Sequence, residues 1–397
     1  MVETERLRIA IFSDSALPII NGVSVSIDVL VSELRRRGHS VHIFTAQHPG
    51  FQDPDANTYR FRAIETPFAP GYPIAFPPYY RMLQKFRRQS FDVVHTHTPF
   101  LIGMAGLRWA ESHGLPVVST YHTLYDRYAH YFRILPRRYV RFRIAKHTNF
   151  YYNSVDHVIS PSEASKKWLM RHSVSTPITV IPTASMPGPY YDRMETRRSL
   201  GMDADAKVLL YVGRLAKEKN LETLLAATAI AMHADASLGL WLVGDGPHRS
   251  ECVACVRQLG IGDRVRFVGF VDRSAVSRYY TAADLFVFAS ITETQGLVIQ
   301  EAMQAGLPAI AVFGGGAGTA IQDGVNGFVV KNEPQMFADA LLKVLNDDNL
   351  HACLSSGARQ TSRSWGIPQM CDAVTDIYQD VVNRRRLVQP NDKFNWL

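Results

Sequence analysis

The chain has no stretch approaching the roughly 18 consecutive apolar residues that a membrane-spanning helix requires. Its first residues, Met1-Val-Glu-Thr-Glu-Arg-Leu-Arg8, mix acidic and basic side chains and lack the basic-then-apolar order of a secretory signal. A cytoplasmic protein is therefore expected, with any membrane contact made peripherally from its surface. Cysteine is equally sparse, and four in 397 residues make no disulfide framework. Cys252 and Cys255 form a C-x-x-C, but no second pair stands at ligand spacing and the Val-Ala between them reads as helix. Buried thiols in a reduced compartment are expected, and no metal. What is present is 46% hydrophobic and 20% charged, enough for packed cores, and the length suits two domains rather than one.

Charge is unevenly shared. Residues 1–200 hold 25 Lys/Arg against 15 Asp/Glu, a net of +10, while the remainder hold 18 against 21, a net of −3. A basic half points to a polyanionic partner, either phospholipid headgroups or nucleic acid, although a solvated basic face has the same composition. The basic half lacks the aromatic-basic signature of a nucleic-acid module, so no nucleic-acid partner is expected.

Short apolar runs with polar tips recur at 8–14, 39–45, 91–97 and 115–120, with helical periodicity between them. The same style restarts at 207–213, 238–244, 264–269, 285–289 and 309–312. Strands alternating with helices predict an α/β chain of two doubly wound, Rossmann-like domains with parallel sheets. The Pro/Gly-rich segment 181–189 marks the join. The expected division is a domain at 1–185, a second at 186–365, and a C-terminal helix within 366–397 that packs back on the first. Facing each other, two such domains leave a cleft at the carboxyl ends of both sets of strands, where open α/β sheets bind ligands.

Two segments at strand ends carry the chemistry. After 285–289 come Glu293, Thr294, Gln295, Gly296, Leu297, Val298 and Glu301, then Gly306 and Pro308. The pattern predicts a helix that starts near Thr294 or Gly296, its free N–H groups offered to an anion, and stops at Gly306. Glu301 lies where a carboxylate can accept both hydroxyls of a ribose. After 207–213 comes Gly213-Arg214-Leu-Ala-Lys217-Glu-Lys219-Asn220. Arg214 and Lys219 can converge on a diphosphate, the arginine through its fork and the lysine as a point charge.

Together these residues resemble glycosyltransferase family 4 over almost the whole chain. Gly213, Arg214 and Lys219 match that family's G-R-x4-K, Glu293 and Glu301 its E-x7-E, and Gly244-Asp-Gly-Pro247 its G-x-G-P turn. The resemblance implies a GT-B fold and metal-independent transfer from a nucleotide sugar with retention of configuration. Arg214 and Lys219 would hold the donor phosphates and Glu301 the ribose. Glu293 and the backbone of Thr294, Gln295, Gly296, Leu297 and Val298 would hold the sugar and β-phosphate, and Val268, Phe270 and Val271 would wall the base.

In the first half, the tips Asp14, His95, His97 and His122 are expected on the acceptor side, and Gly22 is expected to let backbone approach the donor phosphate. The run from Thr120 through His122, Tyr125, Tyr128 and His130 is similar to one in diacylglycerol glucosyltransferases and related glycolipid synthases. Arg127 stands where that pattern carries an acidic residue, and Ala184 where it carries glycine. By this resemblance His122 orders the donor sugar beside the acceptor hydroxyl, and the catalytic set is His122, Glu293, Arg214 and Lys219. On residues 81–88 Met82, Leu83 and Phe86 share one helical face while Arg81, Lys85 and Arg88 share another, a pattern for contact with an anionic membrane or for ordinary packing on a sheet. Arg137, Arg138 and Arg141 form a second basic stretch, and 67–80 reads as an interfacial loop. The implied reaction moves a hexose, expected to be glucose from UDP-glucose, to a lipid such as diacylglycerol, giving an α-linked glycolipid. A soluble sugar acceptor, or nucleotide-sugar binding without turnover, uses the same donor residues.

Overall fold

Runs such as Ile9–Phe12 and Leu209–Val212 are apolar on both strand faces, which suits strands covered by helices on both sides and therefore paired in parallel. The computed structural model describes residues 5–53, 55–66, 69–76, 78–124, 136–203 and 206–388. It divides into two units, residues 1–183 with 367–397, and residues 184–366.

The first unit runs β1 (Arg8–Ser13), α1 (Gly22–Arg36), β2 (Ser40–Ala46), β3 (Thr58–Phe61), β4 (Ala63–Thr66), β5 (Ala69–Ala75), α2 (Tyr80–Arg87), β6 (Val93–Thr96), α3 (Leu101–Ser112), β7 (Val117–Thr120), α4 (Arg137–Tyr152), β8 (His157–Ser160), α5 (Glu163–Arg171) and β9 (Ile178–Val180). Its parallel sheet has the order β3-β2-β1-β6-β7-β8-β9. The chain order reverses between β1 and β6, which places the ends of those two strands side by side. Phe12, Phe44, Phe86 and Trp109 pack as an aromatic cluster within its core, with Phe12 and Phe44 stacked at 4.6 Å. Within the segment read as an interfacial loop, residues 69–75 instead form β5, which pairs antiparallel with β4 so that Ile64 lies opposite Ile74.

The second unit contains α6 (Arg193–Ser199), β10 (Lys207–Val212), α7 (Leu221–Ala234), β11 (Leu238–Val243), α8 (Arg249–Gln258), β12 (Val265–Gly269), α9 (Arg273–Ala282), β13 (Leu285–Phe288), α10 (Leu297–Gln304), β14 (Ala309–Val312), β15 (Gly327–Val330), α11 (Pro334–Leu345) and α12 (Asp348–Ser364). The sheet order is β12-β11-β10-β13-β14-β15, so the switch point falls between β10 and β13. α13 (Ile367–Val388) belongs to the first unit, where it packs on α1. Arg37, at the end of α1, bonds Asp372 and the Pro368 carbonyl at the start of α13.

Candidate active site

Because β10 and β13 are neighbours, the loops that follow them meet at the switch point of the second unit. Lys219 Nζ donates to Glu293 Oε1. Burial alone would lower the lysine pKa, but the adjoining Glu293 carboxylate raises it above its ordinary value, so the ammonium stays charged. Arg214 bonds Glu218 Oε1 at 2.5 Å, and the Glu218 side chain is only 2% exposed. Burial pushes the Glu218 pKa up, yet hydrogen bonds from its own backbone and from Arg214 hold it below its ordinary value. The two loops are also tied through backbone. Asn220 Nδ2 donates to the Ala289 carbonyl at 3.0 Å, and Thr292 Oγ1 donates to the Glu218 carbonyl at 3.2 Å. Ser290 Oγ donates to Glu293 Oε1 at 3.2 Å, a second restraint on that carboxylate.

Gly296 stands at the N-cap of α10 with φ +80°, a left-handed conformation that side chains resist, and it leaves the helix start without a capping side chain. Leu297 and Val298 open the helix and lie half-buried, while Gln295 is buried ahead of them. Glu301 lies one turn on and accepts from the buried Tyr280 hydroxyl at 3.0 Å, which fixes one of its oxygens. At the end of β12, Val268 and Val271 pack against the core whereas Phe270 is 70% exposed. The arrangement offers two cations, a helix start and a restrained carboxylate, a set suited to a phosphorylated, hydroxyl-bearing ligand.

Three contributors escaped the sequence reading. Glu218 was passed over although it lies between Arg214 and Lys219, because a charge in a basic loop reads as surface. Tyr280 carries no local signal. Gly314-Gly315-Gly316 follows β14 directly, a placement that signals backbone approach. Gly316 N–H donates to the Glu293 carbonyl at 2.5 Å, and a Cβ on Gly315 (φ +63°) would fall 2.8 Å from that same oxygen.

In the first unit His95, His97 and His122 come together from the ends of β6 and β7. His97 Nδ1 lies 2.8 Å from His122 Nε2, and the His95 and His97 rings stand 4.1 Å apart. Burial lowers all three pKa values, to about 4 for His122 and about 3 for His95, so the imidazoles are neutral at physiological pH. Neutral His122 can exchange a hydrogen bond with a hydroxyl but holds no proton to give as an acid.

Asp14 is tied into the framework of the first unit. Its carboxylate accepts from Thr98 Oγ1 at 2.6 Å and from the Ile102 N–H at 3.1 Å, so both oxygens serve the start of α3. Gly22 begins α1, whose Val23 and Ser24 N–H groups already bond the Asn21 side chain. A Cβ on Gly22 would meet nothing within 4 Å, leaving open backbone there. Tyr125, Tyr128 and His130 lie outside the described residues.

On α2 the apolar stripe is turned inward: Phe86 is buried in the aromatic cluster and Met82 packs against the same core. Arg81, Lys85 and Arg88 remain exposed, as does Tyr80 (54%) at the start of the helix. Along α4, Arg138 and Arg141 are exposed together with Tyr139 (51%) and Phe142 (62%); of Arg137 only the backbone is described. Among the described residues no helix is long and apolar enough to cross a membrane, and no three His, Cys, Asp or Glu side chains gather as metal ligands. Cys252 is buried on α8, and burial pushes its thiol up to about 12.

Comparison with known proteins places each unit. Residues 20–184 match the family model described as Glycosyltransferase Family 4, and residues 192–361 the model described as Glycosyl transferases group 1. An alpha-monoglucosyldiacylglycerol synthase of Streptococcus pneumoniae is 34% identical over 319 residues, 77% of this chain and 71% of that protein. The enzyme of the same name from Acholeplasma laidlawii is 28% identical over 404 positions, covering 95% and 98%. A D-inositol 3-phosphate glycosyltransferase of Xylanimonas cellulosilytica is 29% identical over 392, covering 92% and 93%. Among solved structures, sucrose-phosphate synthase of Thermosynechococcus elongatus superposes with a TM-score of 0.79 at 24% identity, covering 96% of this chain and 100% of that one. HepE of Anabaena, solved with UDP and glucose, gives 0.74 at 20%, covering 94% and 100%. With a family model on each unit and the parallel-sheet halves of the GT-B fold, the chain belongs to glycosyltransferase family 4.

Proposed function

We propose that the protein is a retaining glucosyltransferase that moves glucose from UDP-glucose to the free hydroxyl of diacylglycerol at an anionic membrane surface. The observation that carries the reading is the switch point of the second unit, where Lys219 is held by Glu293 beside the start of α10 and Arg214 stands in the same loop. The similarity to the two alpha-monoglucosyldiacylglycerol synthases supports the acceptor, and the UDP and glucose bound by HepE support the donor.

In this reading Arg214 and Lys219 neutralise the diphosphate and Glu301 takes the ribose hydroxyls. The Thr294–Val298 backbone faces the β-phosphate while Glu293 orients the sugar. As the anomeric carbon–oxygen bond to the diphosphate breaks, charge grows on the departing oxygen, where the two cations stabilise it most. That β-phosphate oxygen takes the proton of the acceptor hydroxyl, whose oxygen bonds the anomeric carbon on the same face. The products are UDP and an α-glucosyl lipid. The two side-chain cations meet the diphosphate charge, and the step needs no side-chain base and no metal.

The exposed basic residues of α2 and α4 supply peripheral attraction, about 1 kcal/mol for each Lys or Arg near an anionic leaflet. Exposed Tyr139 and Phe142 add rings suited to the headgroup region. The test is a panel of UDP- and GDP-sugars with diacylglycerol in anionic vesicles, reading nucleotide release and lipid product. Release from UDP-glucose that depends on lipid and gives an α-linked product is expected. Release only with a soluble acceptor such as an inositol phosphate would overturn the lipid reading, and no release with any donor would favour binding without turnover.

A further inference from the structure

The three histidines form a stack running inward from half-buried His122 to fully buried His97 and His95, and it ends on the C-terminal helix. Tyr378 of α13 sets its hydroxyl 2.6 Å from His95 Nδ1, across 283 positions of sequence. We propose that Tyr378 is a positioning residue for glycosyl transfer, which fixes the orientation and tautomer of His95 and, through the His97 ring packed on it, the orientation of His122. The inference rests on the reading of His122 as the group beside the donor sugar.

His95 is held at both nitrogens, by Tyr378 at Nδ1 and by Thr120 Oγ1 at 2.7 Å from Nε2. Tyr378 is completely buried, and its phenol is the more acidic of the two flanking hydroxyls. It is therefore assigned as the donor to Nδ1, which puts the His95 proton on Nε2, donated to Thr120. The ring so fixed lies against His97 with an interplanar angle of 36°, close enough that rotating His95 would displace its neighbour.

His97 bonds His122 through Nδ1, while its Nε2 is buried without a hydrogen-bond partner. A buried donor left unpaired is rarer than an under-used acceptor, so the His97 proton belongs on Nδ1, donated to His122 Nε2. His122 then carries its own proton on Nδ1, the nitrogen not bonded to His97. Its task becomes donation of that N–H to a hydroxyl oxygen. Without the Tyr378 hydroxyl, His95 keeps one restraint, the tautomer loses its bias, and His122 loses the rigid backing that sets the direction of its N–H.

The test uses the full chain labelled with ¹⁵N-histidine, with the imidazole signals assigned by His95→Gln, His97→Gln and His122→Gln. Tyr378→Phe keeps the ring and removes only the hydroxyl. It is expected to shift the His95 and His122 nitrogen signals and to lower kcat about tenfold, with donor KM unchanged within about twofold, as expected for a misplaced group. In the His122→Gln background the same change is expected to move kcat by less than about twofold, because its effect passes through His122. Thr120→Val, which removes the other restraint on His95, should shift the same signals. Unmoved His122 signals in Tyr378→Phe, or an equal loss of kcat in both backgrounds, would overturn the proposal. If the wild-type chain turns over no donor, the glucosyltransferase reading fails by itself, and the nitrogen signals still decide whether Tyr378 governs His122.

Discussion

Lys219 and Glu293, separated by 74 positions, share a hydrogen bond because their loops leave adjacent parallel strands at the point where the order of the sheet reverses. The pair holds a cation and a carboxylate in fixed relation where a phosphorylated sugar would need both.

Removing either partner should cost far more rate than stability. Lys219→Ala is expected to lower kcat/KM by about 100-fold or more, the scale for loss of one preorganised charge-stabilising group. Glu293→Ala should act similarly, with Ser290 losing one of its acceptors as well. Steady-state kinetics beside thermal melting checks this; a collapse of melting temperature matching the loss of rate would assign the pair to folding.

Glu218 should govern donor affinity through Arg214. Glu218→Gln preserves size but removes the charge that fixes the guanidinium. A hydrogen bond to a charged group contributes about 1.5–3 kcal/mol, so donor KM is expected to rise by about tenfold or more with kcat nearly unchanged. A fall in kcat at constant KM would place Glu218 in the transition state instead.

The buried histidines give the first unit an acid-sensitive stability. Their folded pKa values lie below the ordinary 6.5, about 3 for His95 and about 4 for His122, so the unfolded chain binds more protons in that interval. Their contribution is fully present above pH 6.5 and is lost as pH falls toward 4. Glu33, held near 2 by Arg36 hydrogen bonding against the opposing effect of burial, adds its own loss below the ordinary carboxylate value of 4.5. Urea unfolding at stepped pH is expected to show the first decline between pH 6.5 and 4, and His95→Gln should flatten it.

The exposed cations of α2 are expected to dominate its attraction to an anionic membrane, since its apolar stripe is turned into the core. Neutralising Arg81, Lys85 and Arg88 to Gln should weaken sedimentation with anionic vesicles by about 100-fold at low salt, taking about 1 kcal/mol per neutralised charge. Phe86→Ala should instead destabilise the fold by about 3–5 kcal/mol in denaturant unfolding, because its ring fills the aromatic core. Vesicle binding that fails in a folded Phe86→Ala chain would return the apolar stripe to the membrane.

Local periodicity carried much of the architecture. Nine of the strands of the two sheets were legible as apolar runs with polar tips, because a strand buried on both faces must be apolar along its whole length. Arg214, Lys219, Glu293 and Glu301 were legible because each sits at a set distance from a strand end or helix start. The strands β3, β8, β9 and β15 and the antiparallel pair of β4 and β5 were not read as such, since runs of three or four residues, even the buried interior β8, carry too little pattern to stand out. The inward turn of Phe86 was also hidden, because an amphipathic helix looks the same against a sheet as against a lipid.

By itself the sequence determined the alternation of strands and helices, the two restarts of that pattern, and the spacing of charged residues around strand ends. Tertiary structure alone decided which loops became neighbours, that the Asp14 carboxylate serves the start of α3, and that Tyr378 closes the histidine stack. The physical reason is range: helix and strand periodicity is set by residues a few positions apart. The partners of a buried polar group are chosen by strand order and helix packing across hundreds of positions, and no local pattern records them.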